Sequence, residues 1–168
     1  MKTHQSVKES DVIYLAGLID GVGSFEVNVG PHDNYATGFR FEPMIRMQFK
    51  DSDTAVLGLL DEYCEEVGVN YSIQDRSKTT SLRFVVQDPD HICRFIEPMA
   101  PYLIRTYKDA EILCDKIAPK VKDGEHRTKQ GIYDLMEYVE QLRAGSGRNP
   151  KYDREFFKNK WESEISTE

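Results

Sequence analysis

The sequence predicts an α+β fold in the order αββαββα, with a four-stranded antiparallel sheet, helices packed on one of its faces and extra helices at the C-terminus. Three observations predict it. Segments in which apolar and polar residues alternate come in two pairs. Each pair is preceded by a helix-length segment bounded by a capping residue and a glycine. The chain has 168 residues, 39% of them hydrophobic, which suits one domain with a single core. Residues 1–168 therefore read as one unit: a tail over 1–9, the αββαββα core over 10–118, and C-terminal helices with a basic loop over 119–168.

Ser10 is placed to cap a first helix from Asp11 to Asp20, with Asp11 in the first turn, where the helix dipole favours a carboxylate. Gly21-Val22-Gly23 reads as its stop. Phe25, Val27 and Val29 alternate with Ser24, Glu26 and Asn28 in a first strand, Gly23 to Val29. After the turn-rich run Gly30 to Gly38, a second strand extends from Phe39 to Lys50, and Pro43 within it predicts a bulge or an edge. Asp53 or Ser52 opens a helix that Gly68 stops after Val67. Two more strands are expected over Val69 to Asp75 and Thr79 to Gln87, joined by a turn at Arg76 to Lys78. Asp88-Pro89 caps a short helix to Glu97. Further helices are expected over Ile104 to Ile117, Thr128 to Ala144 and Asp153 to Glu164.

Composition excludes several classes. The longest apolar runs, Val12 to Ile19 and Leu57 to Leu60, are too short to span a bilayer, and Met1 to Glu9 lacks a signal-peptide core, so no membrane is expected and the location is read as cytoplasmic. Cys64, Cys93 and Cys114 are too scattered for a disulfide framework or a metal knuckle and read as buried thiols. His4, His32, His91 and His126 show no ligand spacing. The net charge of −7 argues by itself against nucleic acid, but the charge is polarised. Asp51 to Glu66 carries six acids and no base, whereas Gln141 to Lys160 carries Arg143, Arg148, Lys151, Arg154, Lys158 and Lys160 against Asp153 and Glu155.

The face of the sheet turned away from the helices is the informative one. Alternation assigns to it Ser24, Glu26, Asn28, Arg40, Glu42, Arg46, Gln48, Lys50, Asn70, Ser72, Gln74, Arg76, Ser81 and Arg83. Arg, Gln, Asn and Ser are the side chains that form paired hydrogen bonds with base edges in a DNA major groove. An ordinary solvated sheet face also alternates in this way.

The run Tyr14-Leu15-Ala16-Gly17-Leu18-Ile19-Asp20-Gly21-Val22-Gly23-Ser24-Phe25 resembles the signature helix of the LAGLIDADG homing endonucleases, matching its first six residues without a gap. Ile13, Ala16, Gly17 and Asp20 are expected on one helical face, and Gly17-x-x-x-Gly21 lets a second backbone approach closely. Leu15, Leu18 and Ile19 face the core. The resemblance implies the αββαββα fold, a homodimer of single-motif chains paired through these helices, and two sheets that form a saddle over double-stranded DNA. It also implies an acidic eighth motif residue that binds divalent metal, and here that position is Val22. A valine offers no oxygen to a hard cation. Asp20 or Asp51 would have to hold magnesium in an active chain, and an inactive one needs no cofactor. The resemblance places supporting roles at Asp51, with Lys50 one residue away, and at Thr106, flanked by Arg105 and Lys108. Arg148 and Lys151 match a basic loop that contacts phosphates. The leading reading is a sequence-specific DNA-binding homodimer with weak or lost nuclease activity. An active endonuclease cutting both strands and an intron-RNA-binding protein are the alternatives.

Overall fold

The computed structural model describes residues 7–75, 80–144 and 150–167. The expected Arg76 to Lys78 turn, and with it Arg76, lies outside the described residues, as does Arg148. Helix α1 (Glu9–Val22) is longer at both ends than the sequence predicts. Its N-cap is Lys8, whose backbone N–H donates to the Asp11 carboxylate at 3.2 Å, so Asp11 closes the first turn in place of the expected Ser10 cap. Gly21 and Val22 stay helical, and the chain turns into strand at Gly23. A Cβ there would sit 2.7 Å from the Ile19 carbonyl oxygen, so the helix-to-strand junction requires glycine because of close approach.

Strands β1 (Gly23–Pro31) and β2 (Phe39–Lys50) form a long hairpin, with Gly23 opposite Met47 and Pro31 opposite Phe39. Helix α2 (Thr54–Val67) follows and ends at Gly68, whose φ of 68° is the left-handed conformation that glycine adopts without steric cost. Strands β3 (Ser72–Asp75) and β4 (Ser81–Val86) complete an antiparallel sheet of order β1-β2-β4-β3. The described part of β3 starts at Ser72 and not at Val69. Asn70, expected in that strand, instead donates its backbone N–H to His91 Nδ1. Pro43 pairs with Val27 on one side, while β4 reaches β2 only from Ile45 onward. The proline thus occupies a locally open stretch of an otherwise central strand, where no ladder donor is required.

The odd-numbered residues of the hairpin, including Phe25, Val27, Phe41, Ile45 and Met47, are buried against the helices, together with Phe84 and Val86. Helix α3 (Pro89–Ile96) is capped by Asp88, whose Oδ1 accepts from the backbone N–H of Asp90 and His91. It presses Ile92, Phe95 and Ile96 into this core. Burial of each such side chain contributes about 1.5–3 kcal/mol.

The single helix expected over Ile104 to Ile117 differs in structure. After a 3-10 turn at Ala100–Tyr102, helix α4 (Tyr107–Glu111) widens into a π-helical stretch (Ile112–Ile117) and continues as α5 (Ala118–Lys122). Pro119 explains the widening, since it lacks an N–H and would crowd the carbonyl one turn back. The Ala118 N–H reaches Leu113 O, five residues earlier. The matching donor for Cys114 O would be the absent N–H of Pro119, and the Cys93 thiol supplies one in its place at 3.6 Å. Thr128 caps α6 (Lys129–Arg143) and Asp153 caps α7 (Arg154–Lys160). Phe39 meets Tyr152, Phe156, Phe157 and Trp161 edge-on, which fixes the C-terminal helix beneath the far end of the β1–β2 hairpin. Among the described residues no helix is long and apolar enough to cross a membrane.

Candidate nucleic-acid interface

The strand register assembles the even-numbered residues of β1, β2 and β3 and the odd-numbered ones of β4 into rows across the open face of the sheet, because directly paired residues share a face. From the α1 end outward on β2, Lys50 is opposite Ser81, Gln48 opposite Arg83 and Arg46 opposite Val85. β3 extends two of these rows with Gln74 beside Arg83 and Ser72 beside Val85. β1 adds Ser24 beside Arg46, Glu26 beside Met44, Asn28 beside Glu42 and Gly30 beside Arg40. Twelve residues assigned by alternation, Ser24, Glu26, Asn28, Arg40, Glu42, Arg46, Gln48, Lys50, Ser72, Gln74, Ser81 and Arg83, thus lie on one surface. Four of these side chains are cationic and two are carboxylates, in a chain whose net charge is −7.

Both carboxylates are engaged. Glu26 Oε1 accepts from Ser24 Oγ at 2.9 Å and from Arg46 Nη2 at 2.5 Å, and Glu42 Oε2 accepts from Asn28 Nδ2 at 3.3 Å. Arg40 lies over Gly30, and its buried Nε meets no acceptor among the described residues. Met44, Val85 and Gln87 line the same groove, a space of about 1250 Å³ that also reaches Arg105, Asp109 and Arg143. The residue-by-residue reading missed these three, although strand parity alone assigns them: 44 falls between 42 and 46, and 85 and 87 continue 81 and 83. Apolar side chains such as Met44 and Val85 are the kind that contact thymine methyl groups.

The surface of α1 is split differently from the expected face. Leu15, Ala16 and Ile19 are fully buried, so Ala16 packs within the protomer and is not on the open face as the sequence reading placed it. The open stripe contains Ile13, Tyr14, Gly17, Gly21 and Val22, and nothing lies within 4 Å of a Cβ built at Gly17 or Gly21. Ile104, 90% exposed, continues this apolar surface next to the end of the helix.

Asp20 faces inward to the loop after the 3-10 turn. Oδ2 accepts from the backbone N–H of Ile104 at 2.8 Å and of Arg105 at 3.1 Å. Oδ1 accepts from the Thr106 N–H at 2.9 Å and from Thr106 Oγ1 at 2.7 Å. Arg105 Nε donates to the Asp20 main-chain oxygen. Burial alone would raise the carboxyl, but these hydrogen bonds outweigh it and hold its pKa down to about 2. Asp20 is therefore an ionised brace joining α1 to the 104–106 loop.

Divalent metal does not fit these donors well. Val22, at the end of α1, has no oxygen, and the oxygens of Asp20 are taken by four N–H and O–H donors. Asp51 lies in the turn beyond β2, its N–H donating to Thr80 O at 3.0 Å, while Lys50 occupies the sheet face. Thr106 is buried, whereas Arg105 and Lys108 are exposed. Among the described residues no cluster of His, Cys, Asp or Glu is suited to a metal ion. Lys151 is exposed, its ammonium 5.4 Å above the Tyr152 ring.

Comparison with known proteins agrees with this architecture. The family model described as LAGLIDADG endonuclease matches residues 15–118. The chain is 25% identical over 140 residues to a probable intron-encoded endonuclease 2 of Neurospora crassa, covering 82% of this chain and 30% of that protein. It is 24% identical over 136 residues to the DNA endonuclease I-CreI of Chlamydomonas reinhardtii, covering 79% of this chain and 77% of the relative. The chain thus spans under a third of the fungal protein and about three quarters of the algal one. Among solved structures, the homing endonuclease I-CvuI in complex with the I-CreI target in magnesium, its DNA uncleaved, superposes with a TM-score of 0.78 at 14% identity, covering 93% of this chain and 97% of that one. The archaeal intron-encoded endonuclease I-Vdi141I, bound to DNA, gives 0.73 at 20% identity, covering 92% and 98%.

Proposed function

This chain belongs to the LAGLIDADG endonuclease family, and from that premise we propose that it is a sequence-specific, double-stranded-DNA-binding homodimer whose nuclease activity is weak or lost. The observation that carries the proposal is the pairing of Val22 at the exposed end of α1 with an Asp20 already held by four donors. Two-metal hydrolysis needs oxygen ligands that steady the attacking and leaving oxygens, and this pair does not offer them. The surface for DNA is intact by contrast, since the open sheet face carries Arg40, Arg46, Gln48, Lys50, Gln74 and Arg83 in one register.

Dimerisation follows from the open stripe on α1. Gly17 and Gly21 leave room for a second helix, and Ile13, Tyr14, Val22 and Ile104 supply apolar surface on both sides of it. A helix pair closed by a two-fold axis buries the same patch on both copies and sets two sheets side by side. Fixed bases would then appear as inverted half-sites.

Selection from duplexes of random sequence, in buffer containing a chelator, tests the binding. A two-fold-related consensus is expected. The recovered site is then placed in a supercoiled plasmid with magnesium or manganese, where the expected result is bound but uncut DNA. Linear plasmid at stoichiometric protein would establish an active endonuclease and overturn the second half of the proposal.

A further inference from the structure

The geometry points to Glu26 and Arg46 acting as one composite reader that recognises a G·C base pair, in a fixed orientation, in the major groove. This inference rests on the DNA-binding reading above.

The two residues lie on neighbouring strands near the α1 end of the hairpin, Arg46 opposite Ser24 and Glu26 opposite Met44. Arg46 Nη2 and Ser24 Oγ both donate to Glu26 Oε1. The Arg46 and Glu26 side chains are only 24% and 29% exposed, so the pair is held in place before DNA arrives. A lone carboxylate facing a polyanion would repel it. The guanidinium removes that charge, so the unit approaches phosphate as a neutral group.

The remaining hydrogen-bonding capacity is directional. Among the described residues Glu26 Oε2 accepts nothing, and Arg46 Nη2 uses one of its two hydrogens while Nη1 keeps both. Read across the sheet, the unit presents donor, donor, acceptor. A G·C pair presents the complement in the major groove: guanine N7 and O6 accept, and cytosine N4 donates. An A·T pair presents acceptor, donor, acceptor, which leaves mismatched groups facing each other. The reversed C·G pair places cytosine N4 against the arginine. The arginine's two donors favour guanine, and Glu26 fixes the direction of the guanidinium and adds a contact to the cytosine amino group, so the ordered pair reads both bases of the pair. Asn28 and Glu42, joined at 3.3 Å, lack a cation and do not form such a unit.

The test uses the random-duplex selection with the full chain and its Arg46→Ala and Glu26→Ala variants. The wild type is expected to fix a G·C pair at one position of each half-site. Arg46→Ala should release that column, and Glu26→Ala, which frees the guanidinium and removes the acceptor for cytosine N4, should weaken the preference for G·C there. Binding to the wild-type consensus should fall about tenfold or more in each variant. A second measurement uses the wild type alone and so does not depend on how the variants fold: 7-deazaguanine at that column removes only N7, and it should weaken binding; unchanged binding overturns the contact to guanine. A consensus whose columns are all unchanged in both variants overturns this inference alone. Failure to enrich any consensus overturns the DNA-binding reading together with it.

Discussion

Asp20 and Thr106, 86 positions apart in sequence, are joined twice: one carboxylate oxygen accepts both the backbone N–H and the side-chain hydroxyl of the threonine. This contact fixes the C-terminal end of α1 against the start of α4. It also settles what the sixth motif residue does in this protomer, which is to brace two segments of its own chain.

Asp20→Asn should therefore destabilise the protein. An amide keeps one acceptor for Thr106 but turns an NH2 toward the N–H groups of Ile104 and Arg105, a cost of about 1–3 kcal/mol. The pH dependence has a definite sign. The folded pKa, about 2 against 3.8, is depressed, so its stabilisation is present above pH 4 and is lost as pH falls toward 2. Full conversion of that shift would be about 2.5 kcal/mol, and solvent screening at this partly exposed site reduces it to about 1 kcal/mol. Urea titrations between pH 5 and pH 2 should show the acid-side decline in the wild type and a shallower one in the variant. Parallel curves would remove Asp20 from this role.

Gly17→Leu is expected to yield a folded monomer. Apart from its chain neighbours and the backbone of its own helix, no described atom lies within 4 Å of the added Cβ, so the leucine disturbs chiefly what packs from outside. Sedimentation should show a dimer for the wild type and a monomer for the variant, while the circular dichroism of the protomer persists. A variant that remains dimeric would place the interface elsewhere.

Much of this architecture is legible in the sequence because period and punctuation agree. Alternation gives β1 and β2 and the open face, Gly68 gives the end of α2, and Asp88-Pro89 gives the cap of α3. Other features are set by contacts distant in sequence. Ala16 looks like a partner-facing residue from its place beside Gly17, yet the sheet and the 3-10 segment rotate the open stripe toward Tyr14, Gly17 and Gly21. The roles of Asp20 and Thr106 depend on a contact that no local pattern encodes. The π-helical stretch was within reach of the sequence, since Pro119 in a helix-length segment demands some irregularity, although its register is decided by packing.

Cys93→Ala tests the account of that stretch. It leaves Cys114 O without the thiol donor that replaces the missing N–H of Pro119, and the expected cost is about 1–2 kcal/mol. In a Pro119→Ala background the restored N–H lets the helix satisfy that carbonyl, so the cost should shrink. Denaturation midpoints of the four proteins form a double-mutant cycle. An additive cycle would show that the thiol and the proline are unrelated.

Lys151 and Arg83 should behave differently on DNA. Lys151 lies near the aromatic cluster under the hairpin, off the sheet face, whereas Arg83 is in the row with Gln48 and Gln74. Lys151→Ala is expected to weaken specific and random duplexes alike and to reduce the salt slope by about one unit, as loss of one phosphate contact does. Arg83→Ala should instead relax preference at one column of the selected site. Equal effects on both kinds of duplex would place Arg83 off the base edges.

Val22→Asp tests whether the proposed loss of cleavage lies at a single position. Val22 is 47% exposed at the end of α1, so a carboxylate there needs no repacking and, in a two-fold pair, would be matched by a second one close to the axis. Those two oxygen-bearing groups supply what Asp20 cannot, since its own oxygens hold the 104–106 loop. Weak, metal-dependent nicking of the selected plasmid is expected, with binding retained. Full activity is not expected, because a new ligand lacks tuned surroundings and the buried Thr106 offers no cation to the developing charge. Arg105, tied to the Asp20 main chain, and the exposed Lys108 are the cations nearest in sequence to that position. Adding Thr106→Lys should therefore raise cleavage only if the Asp20 brace survives its loss of two hydrogen bonds, which thermal melting of the double variant reads directly. Strong cleavage by the unaltered chain would refute this account of Val22, and Asp20→Asn and Asp51→Asn would then identify the carboxylate that binds the metal.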